Sequence, residues 1–175
     1  MTSTPASSAT VDLIDTIVPL TPAQRTWETR RQRPKVVAAT QGSCEAMFSP
    51  TVAGISVAER LLVALHVCRV SKADALAGHY RDSLLAQGAD DHLVDAVDSS
   101  RAASLTDLRL RTLLDFAAKL TERPVEGDRA AVQALVACGL TTPAIVALGQ
   151  LVAFLSYQIR LASGLRAMAA AEAAP

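Results

Sequence analysis

From Pro143 to Ile159 the chain runs 17 residues without a charge. Thr142 stands before this run as an expected N-cap, and Pro143 takes the first helical position. The segment "PAIVALGQLVAFLSYQIRLASGLRAM" therefore reads as one long helix, apolar on most of its faces. Such a helix belongs in a membrane, in the centre of a core, or between copies of a chain. The membrane is rejected here. Seventeen residues lie at the low limit for a span, and the run carries Gln150, Ser156 and Gln158. What remains is a core helix or an oligomer interface.

Composition agrees with a helical protein. Half the residues are apolar, only 3% are aromatic, and Ala and Leu dominate over β-branched alternation. The fold class expected is all-α, with a single domain over residues 11–168. The 17 basic and 17 acidic residues cancel, which removes the electrostatic footprint of a nucleic-acid or anionic-membrane binder. The one basic cluster, Arg30, Arg31, Arg33 and Lys35, reads as a solvated helix end. Cys44, Cys68 and Cys138 are odd in number and widely spaced, with no CxxC. That argues against a disulfide framework and a structural zinc site, and suits a reducing, cytoplasmic setting. "MTSTPASSAT" lacks the basic start and apolar run of a signal peptide and is expected to be a disordered tail. Residues 169–175 are expected to fray.

Caps and breakers divide the rest. Residues 11–18 form a short amphipathic turn or helix. Thr21, Pro22 and Gln24 announce a helix over 21–33, which Pro34 ends. Residues 35–48 make a second helix, weakened by Gly42. Ser56 and Glu59 form a capping box that opens a helix to about Arg69. Ser71 and Asp74 form another that opens a helix to about Ala86. A short helix follows at 91–97. Leu110, Leu113, Leu114 and Leu120 mark a helix within 104–124. Asp128 to Cys138 is helical, and Gly139 sits where a left-handed C-cap is expected.

The residues that could do chemistry gather in "VAERLLVALHVCRVSKADALAGHY" (57–80). Glu59 and His66 are seven apart, so they share a helix face at a rise of about 10 Å and could line one cleft. Cys68 is nine positions after Glu59, on the opposite side, so the two should not serve one substrate atom. His79 lies on the next helix and could fold back toward either. Each has an ordinary explanation as well. Glu59 is the N3 residue of a capping box, His66 and Cys68 sit in an apolar run, and His79 edges an apolar stripe. Cys68 could be activated by Arg69 and His66 only if exposed. His92 between Asp91 and Asp95 is a common surface combination and does not define a metal site. Cys138 at a helix C-terminus is a poor thiolate, and no Ser-His-Asp set can be assembled. No Gly-rich phosphate loop occurs, and no cofactor or metal is implied.

The segment "ISVAERLLVALHVCRV" with "SKADALAGHY" resembles the core of the carboxymuconolactone decarboxylase and alkylhydroperoxidase D-like superfamily. The C-terminal half, "LLDFAAKLTERP" with "ALVACGLTTPAIVALGQLVAFLSYQIRLASGL", is similar to its peroxidase-related members. Shared marks there are a Gly-Leu turn, an Ile-x-x-Leu opening, Ala-Phe in mid-helix, and Arg before a terminal Gly-Leu. The "HY" ending and "QGS" at 41–43 resemble a divergent branch with a carboxymuconolactone decarboxylase-like domain. The resemblance implies an all-α fold whose helices pair across subunits as dimers, trimers or hexamers. Family peroxidases carry a Glu, then Cys-x-x-Cys, then a His. Glu59 matches the acid. Counted from that end, Ala73 and Leu76 occupy the cysteine positions; counted back from His79, Lys72 and Ala75 do. Both cysteines are absent either way, so the dithiol cycle cannot run on that motif.

Three readings stay open from the sequence. One is an enzyme using Glu59, His66 and His79 as acid and base on a small organic substrate, in the manner of the decarboxylase branch. Another is a one-cysteine peroxidase, with a sulfenic acid on Cys68 resolved by Cys44, Cys138 or an outside thiol. The third is a binding or assembly protein that has kept the fold and lost catalysis.

Overall fold

The structure is a computed structural model that describes residues 12–174. The N-terminal tail expected to be disordered, residues 1–10, lies outside these residues. The described residues form α-helices joined by short turns, with no strand among them. They are α1 (Leu13–Ile17), α2 (Arg25–Arg31), α3 (Pro34–Met47), α4 (Val57–Val70), α5 (Asp74–Ala86), α6 (Asp91–Asp98), α7 (Leu108–Glu122), α8 (Arg129–Ala137) and α9 (Thr142–Glu172).

Two helices organise the core. α4 buries the unbroken run Arg60–Cys68 and packs against α5, α6, α7 and α9. α9 touches α1, α2, α3, α4, α7 and α8 and buries Ala144, Leu148, Leu151, Leu155, Ala162 and Leu165. α9 is, among the described helices, the one long and apolar enough to cross a membrane by length and composition. Its buried face makes it the spine of this core. α7 presents the leucine stripe read from the sequence: Leu110, Leu113 and Leu114 are all buried.

Caps explain most boundaries, and also the corrections. The Ser56–Glu59 box forms in both directions. The Ser71–Asp74 box does not form. Ser71 closes α4, Lys72 turns left-handed (φ 56°), and the Ala73 N–H donates to Cys68 O at 2.8 Å. That is a Schellman turn with lysine where glycine is usual, and Asp74 pairs instead with Arg69 at 2.8 Å. Gly139 (φ 87°) makes the expected left-handed turn after α8. α2 starts at Arg25 and not near Thr21: residues 21–24 form a separate turn, closed by the Gln24 N–H on Thr21 O at 2.9 Å, in which only the Gln24 half of the expected box forms, its side chain accepting from the Thr21 N–H at 2.7 Å. α7 starts at Leu108 because Asp107, four residues into the expected helix, is its cap. α9 is capped by Thr141, one residue before the expected Thr142. Gly42 leaves α3 continuous.

Two long-range contacts add to this. Residues 169–172 are part of α9, which continues to Glu172, whose carboxylate accepts from the Thr26 N–H at 3.1 Å and Thr26 Oγ1 at 2.8 Å. It thereby caps α2 from a distance. The basic cluster is also not a simply solvated end. Arg30 pairs with Asp12 at 3.0 Å and Asp15 at 2.5 Å, and Arg31 pairs with Asp15. These ion pairs fasten α2 to α1.

Candidate functional site

The first turn of α4 holds Glu59 by both oxygens. Oε2 accepts from the Ser56 N–H at 2.7 Å, and Oε1 accepts from Arg109 Nε at 2.6 Å. Arg109, on α7, also donates to Gly54 O at 2.7 Å. Burial pushes the Glu59 carboxyl up, but the Arg109 and Ser56 hydrogen bonds outweigh it and hold the group below the usual carboxylate range. Glu59 is thus an anion with its capacity used. It ties together α4, α7 and the preceding loop. Gly54 is needed in that loop: its φ is 80°, and a Cβ there would meet Thr141 Oγ1 at 2.9 Å. Arg60 completes the tie. It is 1% exposed, and its guanidinium donates to Met47 O, to Ser49 O at 2.8 Å and to Ser56 O at 3.3 Å.

Two turns further along α4 the situation reverses. His66 is 8% exposed, and its Nδ1 is buried with no hydrogen-bond partner. The ring lines a cleft of about 510 Å³ between α4, the 100–103 segment, α7 and α8. Arg111, Thr112 and Asp115 of α7 line the same cleft, with Ser100 and a wall of alanines that includes Ala102 and Ala134. Burial lowers the His66 pKa, opposed by the charges of Glu122 and Asp115. The ring is therefore neutral at pH 7, the form in which imidazole can act as a base. Asp115 is held by Lys119 at 2.7 Å. Arg111 donates to Leu105 O at 3.0 Å and forms no ion pair among the described residues. Ser100 lines the cleft from the Schellman turn that ends α6, left-handed (φ 59°), with the Arg101 N–H donating to Ala96 O at 2.8 Å.

The other candidates lie elsewhere. Glu59 does not line the His66 cleft, although the two share a helix face. Cys68 is fully buried, and burial pushes its thiol up to about 12 against a weaker pull from Arg69. A thiol in that state is neither accessible nor a thiolate. His79 is half-buried on α5 with its ring edge-on to Tyr80 at 5.2 Å. Burial lowers its pKa, opposed by Asp82. His79 is not among the residues lining the His66 cleft.

Of the four positions that the two counts set against the Cys-x-x-Cys pattern, Lys72, Ala73 and Leu76 border a groove of about 40 Å³ with Ser163 and Arg166, and Ala75 does not line it. No cysteine lines it. Cys44 is buried, and burial raises its thiol pKa against hydrogen bonds from Gln158 and Tyr80. Cys138 donates its S–H to Leu135 O at 3.2 Å. Among the described residues no three His, Cys, Asp or Glu side chains converge in a way that could hold a metal ion.

Three features escaped the sequence reading. Arg111, Thr112 and Asp115 join His66 only because α7 crosses α4, and nothing local announces that crossing. The buried chain in which Tyr80 Oη donates to Gln158 Oε1 at 2.6 Å needs α5 and α9 in contact. Arg60 had one faint signal, a cation opening an otherwise apolar run.

No protein-family model and no curated protein matches the sequence. Solved structures do. An uncharacterized peroxidase-related protein from Ralstonia eutropha JMP134, described as an alkylhydroperoxidase AhpD core, superposes with a TM-score of 0.70 at 20% identity, over 78% of this chain and 71% of its own. An uncharacterized peroxidase-related protein from Silicibacter sp. TM1040 superposes with a TM-score of 0.67 at 18% identity, over 91% and 92%. At such identities the likeness shows the fold.

Proposed function

We propose that this chain, which has the alkylhydroperoxidase D-like fold, uses it for thiol-independent acid–base chemistry on a small organic substrate in the His66 cleft. One observation carries the reading: a neutral, buried histidine with an unpartnered Nδ1 borders an open cleft. An unsatisfied buried polar atom costs about 1–3 kcal/mol. His66 is the base that takes a proton from substrate or water and returns it. Glu59, fully hydrogen-bonded, positions α4 and α7 and does not touch substrate. His79 has no part in this cleft. The thiol reading is not favoured, because Cys68 has neither the exposure nor the ionisation that peroxide attack requires.

The alternative is a binding protein without turnover, favoured by the absence of both motif cysteines and by Glu59 being committed. Self-association also belongs to the proposal. Val36, Tyr157 and Met168 are exposed around one apolar groove between α3 and α9, and a second copy would cover them.

Two reactions on the native protein test the central reading. Stoichiometric cumene hydroperoxide should leave all three thiols countable. Hydrolysis of p-nitrophenyl acetate, as a probe of an accessible base, should persist in a variant lacking the cysteines and vanish in His66→Asn. Rapid loss of one thiol to peroxide, or probe hydrolysis indifferent to His66, would overturn it.

A further inference from the structure

We infer that the His66 cleft is built for a small organic anion, whose negative group sits on Arg111 while its apolar body lies against the alanine wall beside His66. This rests on the cleft being a working site and narrows it to a chemical class. The first ground is where the positive charges go. Arg30, Arg69, Arg81 and Arg109 each hold a carboxylate, while Arg111, like Arg101 and Arg129, pairs with none among the described residues; what sets Arg111 apart is its place in the cleft. Arg111 holds only a neutral carbonyl, Leu105 O, and is the one cation lining the cleft. Asp115, one turn along the same helix, would oppose an anion, but Lys119 neutralises it at 2.7 Å. A guanidinium with most of its donors unused is the side chain best shaped for a carboxylate or similar planar anion.

The second ground is what else the cleft can bind. Ala102, Ala103, Ala118 and Ala134 offer only methyl groups and backbone. Thr112 has its hydroxyl engaged with Leu108 O at 2.8 Å. A polar, many-hydroxyl ligand would find few partners and lose its hydration. A ligand with one charged end and an apolar body matches what the walls present. The volume, about 510 Å³, is that of a small-molecule site. His66 on the inner wall then meets the part of the ligand away from its charge, where a base is useful.

The test uses the full chain with imidazole-labelled histidine. His66, His79 and His92 give three ring signals, assigned with His66→Gln. Benzoate, its neutral isostere benzamide, and the cation benzylammonium are titrated in turn. Benzoate should shift His66 saturably and leave His92 in place. Benzamide and benzylammonium should bind at least about tenfold more weakly, the factor that one charge-assisted hydrogen bond supplies. Arg111→Gln should weaken benzoate by a similar factor, and Arg111→Lys should restore part of it. Arg111 is exposed on α7, so both variants keep the fold.

Equal binding of benzamide, or benzoate binding indifferent to Arg111→Gln, would overturn the anion assignment and leave the cleft standing. If no probe moves His66 while p-nitrophenyl acetate hydrolysis still depends on it, the anion assignment falls alone. If that hydrolysis is also independent of His66, both readings fall.

Discussion

The two ends of α4 make opposite use of their polar residues. At the N-terminal end Glu59, Arg60 and Arg109 form a closed set. Carboxylate and guanidinium meet, and the remaining donors reach backbone carbonyls of the 47–56 stretch. At the His66 end a ring nitrogen has nothing, and a cation on the facing helix has no carboxylate. The same helix thus carries a satisfied network that fixes geometry and an unsatisfied pair beside a cleft. Ionisable residues in a helical core are not all of one kind. The first set has its hydrogen bonds made and holds the fold; His66 lines a cleft with one ring nitrogen sealed and unpartnered.

The comparison breaks first at Arg60. Truncation to Ala takes the side-chain donors from Met47 O and Ser49 O, while Ser56 O keeps the residue 60 backbone N–H, so Arg60→Ala should lose about 1–3 kcal/mol in urea unfolding. A loss below about 1 kcal/mol would mean the loop carbonyls find water and the closed set is not closed. At the opposite end, His66→Phe should gain about 1 kcal/mol, because it removes an unsatisfied buried nitrogen while keeping the ring's shape. The same variant should abolish p-nitrophenyl acetate hydrolysis. Destabilisation by His66→Phe would show that the imidazole is bonded in solution and the contrast between the ends is false.

Glu59→Gln should cost about 1 kcal/mol, since the pair with Arg109 is partly solvated and the Ser56 bond can be kept by an amide oxygen. It should leave probe hydrolysis unchanged. A collapse of hydrolysis with unaltered stability would move Glu59 into the site. A pH titration sharpens the other end. The His66 pKa is lowered in the folded state, so protonation favours the unfolded chain. Stability from this group is complete above the ordinary histidine pKa of about 6.5 and is lost as pH falls below it. His79, also lowered, contributes in the same direction. His66→Phe should therefore flatten part of the acid-side slope in thermal unfolding, and an unchanged slope would assign it all to other groups. The smallest effect is at the rim. Ser100→Gly and Lys72→Gly should each stabilise by about 0.5–1 kcal/mol by relieving a left-handed residue.

Legibility in the sequence followed the range of the interactions. The Ser56–Glu59 box, the turn at Gly139 and the leucine stripe of α7 are decided within about one to three turns of chain, and they stand where the pattern placed them. The Ser71–Asp74 box had the same local signature and failed. There the end of α4 and the pull of Arg69 on Asp74 decided the turn instead. The C-terminal contact was invisible for the reverse reason. Nothing near Glu172 shows that it will cap a helix almost 150 residues earlier.

The candidate site divides along the same line. The sequence by itself determined an all-helical chain, a central apolar last helix, the absence of any CxxC, and His66 as a polar residue inside an apolar helix. Those follow from residue type and 3.6-residue periodicity, which the chain carries locally. Only the tertiary structure decided that Glu59 would be consumed by Arg109, that Cys68 would be sealed, and that His66 would open onto Arg111. Burial and ion pairing depend on which helices cross, and helix crossing is set by packing the whole core at once.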